Sequence, residues 1–250
     1  MSKATPITKQ RSETNARFKP KGKKNKDRLL SEVAYEKIKE AIIVNDLAPG
    51  QEVSESQLAE RFDMGKAPLR RALASLTQEG LVQPQSRRGY IIAPLTMKDI
   101  NDIWEIRFLL ETEAARLAAG NVDEQYLKSL DRVCKKGYRH SDRVSQRAYL
   151  SANREFHLAI CRSSGNVRLA KIVEQLIDHM SRMLFLGIVV SRSANEWEHG
   201  HSALVNALVK GDGDQAAAIM KEHLQSGREA VLNAVMKSPA LMQVNLAPQV

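Results

Sequence analysis

Cysteine is nearly absent from this chain, with two residues, Cys134 and Cys161, in 250. Two thiols give neither a disulfide framework nor the spacing of a zinc knuckle, and a reducing cytoplasm is the compartment that follows. Long apolar runs are missing too. The longest, at 184–190 and broken by Gly187, is far below the roughly 20 residues of a spanning helix, so no transmembrane segment is expected. The first residues lack the apolar stretch of a secretory signal. Aromatics reach only 5%. Leu, Ala, Ile, Glu, Lys and Arg fill the chain instead, and these favour helix. Hydrophobic residues reach 43%, enough for real cores, and the length accommodates two modest domains or one large one.

The net charge of +9 is unevenly spread. Residues 1–28 carry ten Lys/Arg against Glu13 and Asp27, a net of +8. Residues 29–95 sum to −1 and residues 96–250 to +2. Segment 1–28 has almost no large apolar side chain, cannot bury enough surface to offset its ordering entropy, and is expected to be a disordered basic arm. Such an arm is either a solvating tail or a source of phosphate contacts that release counterions from a duplex.

Residues 29–95 read as a compact DNA-binding module. A first helix is expected over 31–45, with Val33, Ile38, Ala41, Ile42 and Ile43 apolar, ended by "LAPG". Ser54 and Gln57 form a capping-box pattern opening a second helix with Leu58, Ala59 and Phe62 inward. Pro68 suits the first position of a third helix. There Leu69, Ala72, Leu73 and Leu76 face inward and leave Arg70, Arg71, Ala74 and Ser75 outside. Short strands at 82–84 and 90–93 flank "QSRRG". Three helices and a basic hairpin make a winged helix-turn-helix. A major groove about 12 Å wide admits one helix, whose arginines read guanine edges. A hairpin tip with Arg87, Arg88 and the permissive Gly89 suits a minor groove or phosphates. The plainer alternative is a small helical domain with ordinary surface arginines.

The run "IIVNDLAPGQEVSESQLAERFDMGKAPLRRALASLTQEGLV" followed by "RRGYIIAPL" resembles the DNA-binding domain of GntR-family bacterial transcription regulators. The candidate DNA-contacting set is Ser54, Glu55, Gly65, Lys66, Ala67, Arg70, Arg71, Arg87, Arg88 and Gly89. Gly65-Lys66 stands where the family usually has Ser-Arg, and Arg71 where it usually has Glu. Lys66 replaces a planar bidentate donor by a point charge, so the operator cannot be borrowed from relatives.

Residues 96–236 read as an antiparallel bundle of six helices, at about 97–118, 123–138, 143–163, 167–189, 193–210 and 213–235, with Asn121, Ser164 and Asn166 as candidate caps. The fold class is therefore mainly α, a winged helix-turn-helix followed by an all-helical domain, with a flexible tail at 237–250. Three histidines fall on apolar stripes of three separate helices at i, i+3, i+4 spacing. His157 runs with Tyr149, Leu150 and Asn153, His201 with Leu204 and Leu208, and His223 with Met220 and Ile219. A lone inward histidine is usually a satisfied core residue. Three on separate helices suggest a metal site, with Asn153 one turn before His157 able to reach the same ion. His179 is an edge alternate, His199 lies off its stripe, and His140 sits in a basic turn. Arg107 interrupts the apolar stripe of Ile100, Ile103 and Trp104. It is either a structural partner of Glu111, four residues on, or a pocket arginine for an effector carboxylate.

The order "DIWEIRFLLE", "NREFHLAI", "SSGN", "HSALVNALVKGD", "AAIMKEHL" resembles the FCD ligand-sensing domain of the FadR-type branch of that family. The resemblance implies a divalent metal held by Asn153, His157, His201 and His223, where metal-binding relatives commonly have Asp at the first position. Nitrogen-rich ligation suits zinc or nickel. It also implies a homodimer, a small organic-acid effector and a double-stranded DNA operator. The expected protein is a bacterial cytoplasmic transcription regulator with no membrane association and no enzymatic activity. Two rivals stand beside it. One is a metal-dependent enzyme using the three histidines, disfavoured because no acid is clearly placed on the inward stripes as general base. The other is a sequence-indifferent architectural DNA binder driven by the arm.

Overall fold

The computed structural model describes residues 21–86, 88–190 and 201–236. The first twenty residues of the expected arm, Arg87 at the hairpin tip, most of the expected start of the helix at 193, His199 and the tail at 237–250 lie outside these.

The first helix, α1 (Lys21–Ile43), begins ten residues before the expected start. The last quarter of the expected disordered arm is thus helical backbone continuous with the DNA-binding module. Ala34, Ile38, Ala41 and Ile42 are its buried face, while Val33, expected inward, is exposed. β1 (Glu52–Val53) follows, then α2 (Glu55–Phe62), α3 (Lys66–Gln78), β2 (Val82–Gln85) and β3 (Gly89–Ile92). The capping box at α2 forms in full: the Gln57 amide donates to Ser54 Oγ at 3.2 Å, and the Ser54 amide donates to Gln57 Oε1 at 2.8 Å. α3 starts earlier than expected, with Gly65 as its cap, so Pro68 is the third helical residue rather than the first. Proline is tolerated at this position as well, because the first four helical N–H groups lack intrahelical acceptors anyway. The sheet is antiparallel in the order β1-β3-β2, with Val53 opposite Tyr90 and Gln85 opposite Gly89. Gly89 has φ +99°, and a Cβ there would lie 2.5 Å from the Val53 carbonyl oxygen. Its glycine is required by the approach of β1, whatever the wing touches.

The helical domain comprises α4 (Met97–Ala118), α5 (Glu124–Lys136), α6 (Arg143–Ser163), α7 (Val167–Val190), α8 (Ser202–Lys210) and α9 (Gly213–Met236). Asp123, not Asn121, caps α5, accepting from the Tyr126 amide at 2.9 Å. Asn166 accepts from the Leu169 amide at 3.1 Å and so caps α7 as expected. Trp104, Phe156, Met180, Leu204 and Met220 lie in one core that draws on the helices around it. A separate core holds Ile38, Leu58, Leu69, Leu73 and Ile92 of the winged domain. The two domains meet where α7 packs on α1 and on the end of α3.

Candidate functional sites

On α3 the apolar spacing buries Leu69, Ala72, Leu73 and Leu76, and this turns the opposite face outward. Gly65, Lys66, Ala67, Arg70 and Arg71 are all exposed. Ser54 and Glu55 sit half-buried at the start of α2. Glu55 Oε2 accepts from Arg70 Nε at 2.8 Å, which aims the guanidinium along the exposed face while leaving it 65% accessible. Arg71 Nε donates to Ser31 Oγ of α1 at 2.8 Å. On the hairpin Arg88 is exposed, with its nearest acid, Glu52, at 4.0 Å. Lys66, Arg70 and Arg71 on α3 and Arg88 on the hairpin are thus exposed basic side chains on the two elements that a winged domain presents to DNA.

Inside the helical domain the expected histidines converge. One ligand atom from each of His157, His201 and His223 lies within 4.8 Å of the others. The Nε2 atoms of His157 and His223 are 3.2 Å apart. His157 and His201 are buried and His223 is half-buried. His201 does not sit within a helix as its stripe suggested: it is the N-cap residue of α8. Two features hold it. Its ring stacks on Phe156 at 3.9 Å, and its amide donates to Asp131 Oδ1 at 3.1 Å. Burial pushes the Asp131 carboxyl up, but the bonds from His201, Lys135 and Ser202 outweigh it and hold the group well below the usual range. Asn153, His157, His223, Arg107, Trp104 and Leu184 line one cavity of about 30 Å³, room for an ion or a water.

Arg107 makes the pair with Glu111 that its structural reading expected. It lines that cavity, and its Nε donates to Glu111 Oε1 at 2.5 Å. Its guanidinium also lies over Trp104, 4.6 Å from the ring centre. Glu111 is the residue that the sequence reading undervalued. It is fully buried, and its second oxygen meets His157 Nδ1 at 2.6 Å. The expectation that no acid stands among the inward histidines is therefore corrected. The available signal was local: Glu111 follows Arg107 by four residues on the same face. Burial pushes its carboxyl up, but Arg107 and then His157 override this and hold it at about 2. An ionised carboxylate only accepts, so His157 donates from Nδ1, leaving Nε2 towards the cavity.

The donor set fits a first-row divalent ion. Three imidazoles converge, those of His157 and His223 line the small void together with Asn153, His157 is oriented by a buried carboxylate, and among the described residues no cysteine joins the cluster. Both cysteines are buried and their thiols are pushed up by that burial, Cys134 to about 12. His179, the edge alternate, is elsewhere: its Nε2 meets the Glu79 carbonyl oxygen at 2.7 Å. His140 is exposed, as expected.

A winged helix-turn-helix with exposed arginines on its third helix and hairpin, joined to a helical bundle around a polar cavity, defines a two-domain DNA-binding transcription regulator. The chain belongs to the GntR family and carries an FCD domain: residues 30–92 match the bacterial regulatory proteins of the gntR family, and residues 102–226 match the FCD domain. It is 30% identical over 154 residues to the HTH-type transcriptional regulator YdhC of Bacillus subtilis, covering 60% of this chain and 68% of that one. It is 27% identical over 203 residues to the HTH-type transcriptional repressor GlaR of Escherichia coli, covering 76% and 90%. In fold it is similar to E. coli McbR/YncC, with a TM-score of 0.67 at 23% identity over 82% of this chain and 97% of that one. These relatives are transcription regulators rather than enzymes.

Proposed function

We propose that the protein is a cytoplasmic bacterial homodimer whose binding to a roughly two-fold operator responds to a small organic acid in the helical domain. Residues 29–95 are the DNA-binding unit and 96–236 the sensing and dimerisation unit. Bases and phosphates are contacted by Gly65, Lys66, Ala67, Arg70 and Arg71 at the start of α3. Ser54 and Glu55 of α2 and Arg87, Arg88 and Gly89 of the wing complete that surface. Exposed Ile106, Leu109 and Leu117 on α4 support a face that a second copy covers.

The single observation that carries the sensing role is the convergence of His157, His201 and His223, with Asn153 lining the same cavity as His157 and His223. Those four would hold zinc or nickel. The ion would supply positive charge to draw in a carboxylate, and more of it than with Asp, since Asn153 brings no negative charge. Glu111 fixes the His157 tautomer, and Arg107 holds the far end of the anion. The void is ion-sized, so admitting a metabolite opens the bundle. That opening is the difference between liganded and unliganded states on which regulation depends.

The test is elemental analysis of protein incubated with zinc or nickel and then desalted. Wild type should retain substantially more metal than the His157→Ala/His223→Ala double variant, and Asn153→Asp should raise retention. Equal metal in wild type and a folded double variant would sink the metal site, leaving the histidines as polar groups of a metal-free pocket.

A further inference from the structure

One residue beyond Asn153 on α6, Arg154 leaves the cavity and begins a chain of alternating charges that crosses to the DNA-binding domain. Its Nε donates to Asp178 Oδ1 of α7 at 2.7 Å, and its Nη2 to Glu174 at 3.0 Å. Asp178 is 1% exposed, and its other oxygen lies 2.6 Å from Lys39 Nζ of α1. Lys39 Nζ also meets Glu79 Oε2 at 3.2 Å and Tyr35 Oη at 2.6 Å. Glu79 caps the C-terminus of α3, the proposed reading helix. The order is Arg154, Asp178, Lys39, Glu79: four elements linked by three ion pairs.

Two further contacts leave the same face of α7. His179 meets the Glu79 carbonyl, and Arg182, fully buried, donates to the Ala93 carbonyl at 2.5 Å in the segment joining the domains. Leu184 on the same helix lines the histidine cavity. So α7 carries both a cavity residue and DNA-domain contacts, and α6 is tied to it by Arg154, the residue after the cavity residue Asn153.

We infer that Asp178 is the pivot through which the histidine cavity sets the position of the DNA-binding domain, an inference that rests on the sensing role proposed above. A buried carboxylate between two cations keeps both only while α1 and α6 hold their present separation. An opening that displaces the Asn153–His157 turn of α6 draws Arg154 from Asp178. The Asp178–Lys39 pair then readjusts, and the end of α3 moves with Lys39. Room for this exists: a cavity of about 640 Å³ between α1, α6 and α7 is lined by Lys39, Arg154 and Asp178 themselves. Coupling of this kind is a free energy shared by two sites and is measurable without knowing the effector.

The experiment is a double-mutant cycle on operator affinity in the full chain, with the operator obtained by selection from random duplexes. His223→Phe perturbs the cavity. Asp178→Asn and Lys39→Met break the pivot, and Lys39→Arg preserves its charge. The expected result is a change of about five-fold or more in operator affinity from His223→Phe in the wild-type and Lys39→Arg backgrounds. In the Asp178→Asn and Lys39→Met backgrounds the change should shrink below about two-fold. If Asp178→Asn fails to fold, Lys39→Met decides alone. An equal effect of His223→Phe in every background overturns the pivot, and so does no effect in any. Selection that yields no preferred duplex refutes the DNA-binding reading itself and takes the pivot with it.

Discussion

Glu111 Oε2 lies 2.6 Å from His157 Nδ1, a contact between side chains 46 residues apart and both sealed from solvent. The other oxygen of Glu111 takes the Arg107 guanidinium. One carboxylate thus neutralises a buried arginine and orients a histidine at the cavity. It joins α4 to α6 at the floor of the proposed sensing site.

Glu111→Gln should therefore do two things. It leaves Arg107 buried without a counterion, which costs on the order of 3–5 kcal/mol. It also weakens the orientation of His157, so metal retention should fall by roughly 10–100-fold. Urea unfolding and a zinc titration read the two effects separately. A variant as stable as wild type would show that the pair contributes nothing to the fold.

Arg70 is 65% exposed and bonded only to Glu55 among the contacts described for it, so it is free to donate to a base edge. Arg70→Ala should weaken specific operator binding by roughly 1–3 kcal/mol and relax specificity at one position. The surface pair it loses with Glu55 is worth about 0–1 kcal/mol, so the melting temperature should barely move. Gel-shift titration checks the first outcome, and unchanged affinity would remove α3 as the reading helix.

His179 supplies a pH dependence at the domain boundary. Burial lowers its pKa from the ordinary 6.5, and the Arg182 charge acts the same way, against the Glu79 carbonyl. The unfolded chain therefore binds this proton more readily than the folded one. Its contribution to stability is full above about pH 6.5 and is lost as pH falls towards the lowered folded value. His179→Gln keeps a donor for the Glu79 carbonyl but does not titrate. Its stability should decline less than that of wild type between about pH 7 and 5. Parallel denaturation midpoints across that range would exclude the effect.

The basic segment splits at the start of α1. Residues 1–20 carry five Lys/Arg against Glu13. Deleting them should shallow the fall of log affinity with log salt while leaving the preference for operator over random duplex nearly unchanged, because phosphate contacts are indifferent to sequence. An identical slope would mean that these residues do not touch DNA.

Local rules carried far along this chain. The bounds of α4 and α6, the Ser54–Gln57 capping box and the inward stripe of α3 follow from helical periodicity and from hydrogen bonds closed within one turn. The stripes of His157 and His223 already pointed these side chains inward, since each obeys the period of its own helix, whereas His201 is the N-cap of α8 and is placed by Asp131 and Phe156. Legible without the fold were therefore most of the helices, most of their buried faces and the family, but not the early start of α1, the exposure of Val33 or β1.

The tertiary structure alone decided which faces meet. β1 is two residues long and exists only because β3 offers it partners. Asp131 sets the backbone of His201 from 70 residues away, and Asp178 joins Lys39 across 139 positions. No periodicity encodes such pairs. They arise when separate helices pack at a common depth, where a charge removed from water must find its counterion on whichever element the fold brings beside it.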